Sequence, residues 1–136
     1  MQICLNIDNE KTCFHTFVVM KIRNLEIFEI HASYCRVLAS PLRLAILACL
    51  DKRELSVGEL AEILGVPLST VSRHLSALKG KHLVVARKEG HKVFYSPSDQ
   101  RIIEACGLIR NVLIDGMKKR GEIAMEIKPD EIIVDD

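Results

Sequence analysis

A mainly α fold with one small β-hairpin is what this sequence predicts, and three observations predict it. Apolar residues recur at intervals of three and four over most of the chain, which is the period of amphipathic helices. The pattern changes once, over residues 83–96, to two short β-rich runs on either side of a glycine. Aromatic residues are only 4% of the 136 residues and Trp is absent, so the core has to be built from Leu, Ile, Val and Ala, which suits packed helices. The length fits one domain with modest extensions, and 49% hydrophobic with 27% charged residues is ordinary for a globular protein.

Taken in order, residues 1–20 have no clear period and read as an N-terminal extension. Met20-Lys21 offers a second start directly ahead of a good helical pattern, so the segment is either a loose extension or an over-long reading of the gene. Residues 22–38 read as a helix, with Ile22, Leu25, Phe28, Ala32, Cys35 and Leu38 spaced by three or four. Ser40-Pro41 restarts the chain, Ser as N-cap and Pro at the first helical position. The helix that follows, Pro41–Leu50, is apolar on most sides, the mark of a buried helix. After a polar connection at Asp51-Lys52-Arg53, Ser56-Val57-Gly58-Glu59 forms a capping box and starts a short helix through Leu64. Gly65 stops it by taking the left-handed conformation, and Val66-Pro67 completes a tight turn. The next helix, Leu68–Gly80, is expected to bury Val71, Leu75 and Leu78 and to expose Ser69, Thr70, Ser72, Arg73 and Lys79. Leu83–Arg87 and Lys92–Ser96 are the strand candidates, with Glu89-Gly90 as their turn. Ser98 is expected to cap a long helix, Asp99–Arg120, whose Ile102, Cys106, Ile109, Leu113 and Met117 form one apolar packing face, either for the core or for a dimer interface. The order of elements is that of a winged helix-turn-helix: residues 21–120 as the body, 121–136 as an acidic tail.

Charge is distributed unevenly along the chain. Residues 21–120 carry 17 Lys/Arg against 10 Asp/Glu, while residues 121–136 carry one Lys against six acids. A basic body fits a nucleic-acid partner. No apolar run approaches the roughly 20 residues a membrane helix needs. The short apolar stretch Cys13–Met20 follows Asp8 and Glu10 with only Lys11 between, which makes a poor signal peptide. Cysteines at positions 4, 13, 35, 49 and 106 are odd in number and contain no Cys-x-x-Cys pair. They read as reduced thiols, and the protein as cytoplasmic with no membrane partner.

A helix-turn-helix lays its second helix in the major groove of duplex DNA. Small polar residues near the start of that helix let the backbone approach, and Ser69, Thr70 and Ser72 supply them. Arg73 supplies a guanidinium able to pair with guanine in a bidentate way, and His74 stands between a base or phosphate contact and helix packing. In the wing, Arg87, Lys88, His91 and Lys92 surround Gly90 and are assigned to phosphates or the minor groove. The bland alternatives are a solvated helix face and a plain exposed hairpin. Arg43, within an apolar helix, reads as a structural ion-pair member.

The run Leu60 to Leu78 (LAEILGVPLSTVSRHLSAL) resembles the DNA-reading segment of the ArsR family of bacterial and archaeal regulators. Ala39 to Leu47 resembles that family's second helix, and Gly90 to Ser96 its wing, so the likeness covers roughly residues 22–118. The resemblance implies a homodimer in which the first and last helices pack together, and repression relieved by an inducer. Many members carry a Cys-x-Cys metal site where this chain has Ser56-Val57-Gly58. Others use His and carboxylates along the last helix, yet residues 97–120 contain no His. Neither metal site is expected here. Cys35 and Cys106, which the family architecture brings together at the dimer interface, remain as a thiol sensor for a thiophilic metal or metalloid, or for redox chemistry. The competing reading makes them small buried hydrophobes, the usual behaviour of a thiol, and the same holds more strongly for Cys49.

Two further function classes compete with a DNA-binding regulator. A winged-helix module that binds protein and not DNA has no use for a polar, basic reading helix. An enzyme would need paired carboxylates, a nucleophile with its base or a phosphate loop in a cleft, and the sequence offers none. If the basic body meets phosphates, log K for duplex DNA falls linearly and steeply with log salt. A flat dependence would remove the electrostatic case.

Overall fold

A computed structural model of the chain describes residues 25–122. The expected extension over 1–20, Cys4, Cys13 and Ile22, and the acidic tail beyond Glu122, lie outside the described residues. The chain divides into two units, residues 1–36 and 37–136. The first contributes most of a helix, α1 (Leu25–Leu38), on which Leu25, Ile27, Phe28 and Ile30 are exposed.

In the second unit the order is α2 (Pro41–Cys49), β1 (Leu55–Ser56), α3 (Val57–Leu64), α4 (Leu68–Gly80), β2 (Val84–Glu89), β3 (Lys92–Pro97) and α5 (Gln100–Lys119). The strands form one antiparallel sheet in the order β1-β3-β2. The core is aliphatic, as the composition requires. Ile46, Leu47, Cys49 and Leu50 from α2 and its end meet Leu60 of α3, Val71, Leu75 and Leu78 of α4, Leu83 and Val84 at the start of β2, and Ile103 and Ile114 of α5. Among the described residues no charged or polar side chain is buried with them.

Local chemistry sets the boundaries. Ser56 accepts from the Glu59 amide at 3.2 Å while the Glu59 carboxylate accepts from the Ser56 amide at 2.7 Å, which closes the capping box of α3. Gly65 ends that helix at φ +62°. Gly90 opens the hairpin loop at φ +59°, the glycine-first form of a two-residue connection.

Three local expectations are corrected. The hairpin turn is Gly90-His91, not Glu89-Gly90, because Glu89 still pairs with Lys92 across the ladder. Asp99, not Ser98, caps α5: its carboxylate accepts from the Arg101 amide at 2.9 Å, while the Ser98 hydroxyl donates to the His82 carbonyl at 2.6 Å. Two residues, Leu55 and Ser56, add a third strand whose brevity hid it from any alternation test. The α5 stripe through Ile102, Cys106, Ile109, Leu113 and Met117 is one face by helical spacing, set to the side of the line that the core buries. Ile103 and Ile114 turn to the core, whereas Leu108, Ile109, Val112 and Leu113 are 60–67% exposed.

A Cβ built on Gly65 meets no atom within 4 Å, so substitution there is opposed by backbone conformation alone. Gly65→Ala is expected to cost about 1 kcal/mol in urea unfolding, with Gly65→Asn costing less because Asn tolerates the left-handed region. A neutral Gly65→Ala would show that the turn does not depend on this geometry.

Candidate nucleic-acid interface

The geometry of the site begins with α4. Val71, Leu75 and Leu78 are wholly buried along one face. At 100° per residue, Ser69, Arg73 and Ser76 then fall on the opposite face with Ser72 at its edge, and all four are exposed. Ser76 was not anticipated. Its spacing of four from Ser72 was the signal that could have found it, and its hydroxyl donates to the Ser72 carbonyl at 3.0 Å. Thr70 is half-buried and lies to the side of this face.

The start of α4 differs from that of α3. Pro67 occupies the N-cap and supplies no side-chain hydrogen bond. The first-turn amides of α4 therefore lack the side-chain acceptor that Ser56 gives α3, and a helix start in this condition suits an anionic oxygen.

His74 stands apart from the polar face. It is half-buried, and its Nδ1 is shielded with no hydrogen-bond partner among the described residues. Burial holds its pKa below the usual histidine value, and the positive charges of Arg43 and Arg73 push the same way. Arg43 itself donates from Nε to the Val37 carbonyl. It is structural as expected, but this partner is a backbone oxygen and not the carboxylate of an ion pair.

The wing is less uniformly basic than its composition. Side chains alternate between the two faces of a strand, so Arg87 and Glu89 leave β2 on one face and Lys88 on the other. Arg87 is held by Glu54 at 2.8 Å and by Glu89 at 2.8 Å, and lies over the Phe94 ring at 5.2 Å. The hydrogen bond from Arg87 holds the Glu54 carboxyl below the usual carboxylate range. Lys92 is close enough to Glu59 to lower that carboxyl slightly, after the larger effect of its hydrogen bonds with Ser56. Lys88, His91 and Lys92 are exposed, and among the described residues no salt bridge closes on them.

The thiols differ in exposure. Cys49 is buried in α2, Cys35 is exposed on α1 and Cys106 is half-buried on α5. Packing therefore accounts for Cys49, but within one chain it does not account for Cys35. Among the described residues no group of three or more His, Cys, Asp or Glu side chains could hold a metal ion.

Since folding depresses the pKa of His74, the folded state takes up its proton less readily than the unfolded chain. The stability this contributes is complete above the unfolded value of about 6.5 and is lost as pH falls through the folded value. Thermal midpoints measured from pH 8 to pH 5 are expected to fall more steeply for the parent than for His74→Gln. Identical slopes would refute the assignment.

Comparison with known proteins agrees with this geometry. A helix-turn-helix domain model matches residues 38–86. The nodulation protein NolR of Rhizobium meliloti is 34% identical over 101 residues, covering 74% of this chain and 83% of NolR. The transcriptional repressor SmtB of Mycobacterium tuberculosis is 31% identical over 100 residues, covering 74% of this chain and 69% of SmtB. Among solved structures, a homodimeric winged helix-turn-helix DNA-binding domain from Mycobacterium bovis, described as a possible ArsR-family regulator, superposes with a TM-score of 0.65 at 30% identity. It covers 72% of this chain and 91% of that one. Reduced HlyU from Vibrio cholerae matches at TM-score 0.60 and 34% identity, over 67% of this chain and 97% of HlyU. The polar reading face of α4, the hairpin beside it and relatives of this extent together establish that the chain belongs to the ArsR family of winged helix-turn-helix transcriptional regulators.

Proposed function

We propose that this protein binds duplex DNA as a homodimer and represses transcription until an inducer releases it. The observation that carries the reading is the division of α4 into a fully buried aliphatic face and an exposed face of Ser69, Ser72, Arg73 and Ser76. The three serines are short enough to let the helix enter the major groove, and Arg73 is long enough to reach a guanine edge. Lys88, His91 and Lys92 meet phosphates from the wing. Thr70 and His74 support the helix from its flank. The body, residues 21–120, binds and dimerises, with 1–20 and 121–136 as appendages.

Dimerisation is supported by Leu108, Ile109, Val112 and Leu113, an exposed aliphatic strip on α5 that water disfavours. The apolar side chains of α1 supply further surface for the second copy. Two reading helices related by a twofold axis require an inverted repeat with half-sites about one helical turn, or a multiple, apart. No single helix among the described residues is long and apolar enough to cross a membrane, and a regulator of this kind works in the cytoplasm beside the DNA. Its action is binding, with no catalytic step.

Arg73→Ala is expected to weaken binding to a duplex selected by the parent protein by about 1–3 kcal/mol and to relax specificity at one position. Binding to a mixed-sequence duplex should change far less. Fluorescence anisotropy with both duplexes checks this. An equal loss on both would mean that Arg73 meets the backbone and that bases are read elsewhere.

A further inference from the structure

The wing hairpin extends beyond the strand that supports it. β1 pairs with β3 at only two positions, Leu55 with Tyr95 and Ser56 with Phe94. β2 and β3 continue together past that point, through Lys88 with Val93 and Glu89 with Lys92. Ser56, Phe94 and Arg87 are therefore the last rung of three, and the segment from Lys88 to Lys92 projects as a two-stranded ribbon. A ribbon of this kind has little stability of its own.

At that last rung a side-chain cross-link joins the ribbon to the body. Arg87 reaches over the Phe94 ring to Glu54, the residue directly before β1. Its Nη2 lies 2.8 Å from Glu54 Oε2, and its Nε lies 3.1 and 3.2 Å from the two Glu54 oxygens. Its Nη1 donates to Glu89 at 2.8 Å, so the same guanidinium also holds the ribbon. The planar fork of an arginine suits such a bridge, whereas an ammonium would act as a single point charge. With a carboxylate on each side, Arg87 has little net charge to offer a phosphate.

We propose that Glu54 and Arg87 form a clamp that positions the wing for DNA, and that Arg87 is a positioning residue and not a phosphate ligand. This rests on the DNA-binding reading above. It replaces the expectation from sequence that Arg87 belongs with Lys88, His91 and Lys92. The clamp fixes the base of the ribbon, and the ribbon delivers Lys88, His91 and Lys92 at its tip.

The two roles predict opposite signs for one substitution. Glu54→Gln removes a negative charge beside the wing, so electrostatics alone would strengthen binding to DNA. If Arg87 were a phosphate ligand restrained by Glu54, releasing it would strengthen binding further. The clamp predicts weaker binding, by about two- to fivefold, the range for an exposed ion-pair network. The probes are a mixed-sequence duplex and a duplex selected by the parent protein, with anisotropy as the readout and far-UV circular dichroism to verify folding. In an Arg87→Gln background the clamp is already open, and Glu54→Gln should no longer weaken binding. Tighter or unchanged binding by Glu54→Gln in the parent would overturn the clamp alone. So would an undiminished loss in the Arg87→Gln background. Should Arg87→Gln fail to fold, the sign for Glu54→Gln decides by itself. A parent protein that binds neither duplex would sink the DNA-binding reading, and the clamp with it.

Discussion

Everything in this molecule that bears on function depends on one face of α4. Val71, Leu75 and Leu78 are completely withdrawn from water against Leu60, Ile46, Leu47 and Leu50. Each such side chain contributes on the order of 1.5–3 kcal/mol of burial, and truncating one typically costs 2–5 kcal/mol. No exposed ion pair on this surface approaches that scale. The rotation of α4 about its axis is therefore set by aliphatic packing. Because a helix has a fixed angular period, setting one face sets the other, and Ser69, Ser72, Arg73 and Ser76 are presented by the packing on the far side of α4.

The turn and the wing serve that arrangement in different ways. Gly65, in the left-handed conformation, ends α3 early enough for α4 to cross it. The wing is tied to the body by two backbone rungs of β1 and by a polar link through Arg87. Packing thus fixes the reading helix rigidly, while the hairpin is held by weaker and more exposed interactions.

Much of this was legible in the sequence because the signals are local. The capping box at Ser56 and Glu59, the stop at Gly65 and the three-four spacing of Val71, Leu75 and Leu78 each state their structure within a few residues. What was not legible depends on partners distant in the chain. The ion pair of Arg87 was hidden because its partner, Glu54, lies 33 residues away. His74 looked like an even choice because only the fold brings Arg43 near it. β1 was missed because two residues cannot display a period. Whether the α5 stripe meets the core or a partner was not legible, because Ile109 and Leu113 follow the same spacing as core residues, and only the placement of α5 on Ile103 and Ile114 leaves them exposed. Ser98 and Asp99 are adjacent and both good caps, so the choice between them fell to the carbonyl of His82.

The central claim is that packing of one α4 face presents the other to DNA. Isotope-labelled protein titrated with duplex DNA, followed by NMR chemical shifts of individual amides and side chains, tests it most directly. The account predicts that the largest perturbations fall on Ser69, Ser72, Arg73 and Ser76, with a second group from Lys88 to Lys92. Leu108, Ile109, Val112 and Leu113 should stay unmoved. Perturbations concentrated on α5, with the polar face of α4 silent, would contradict it.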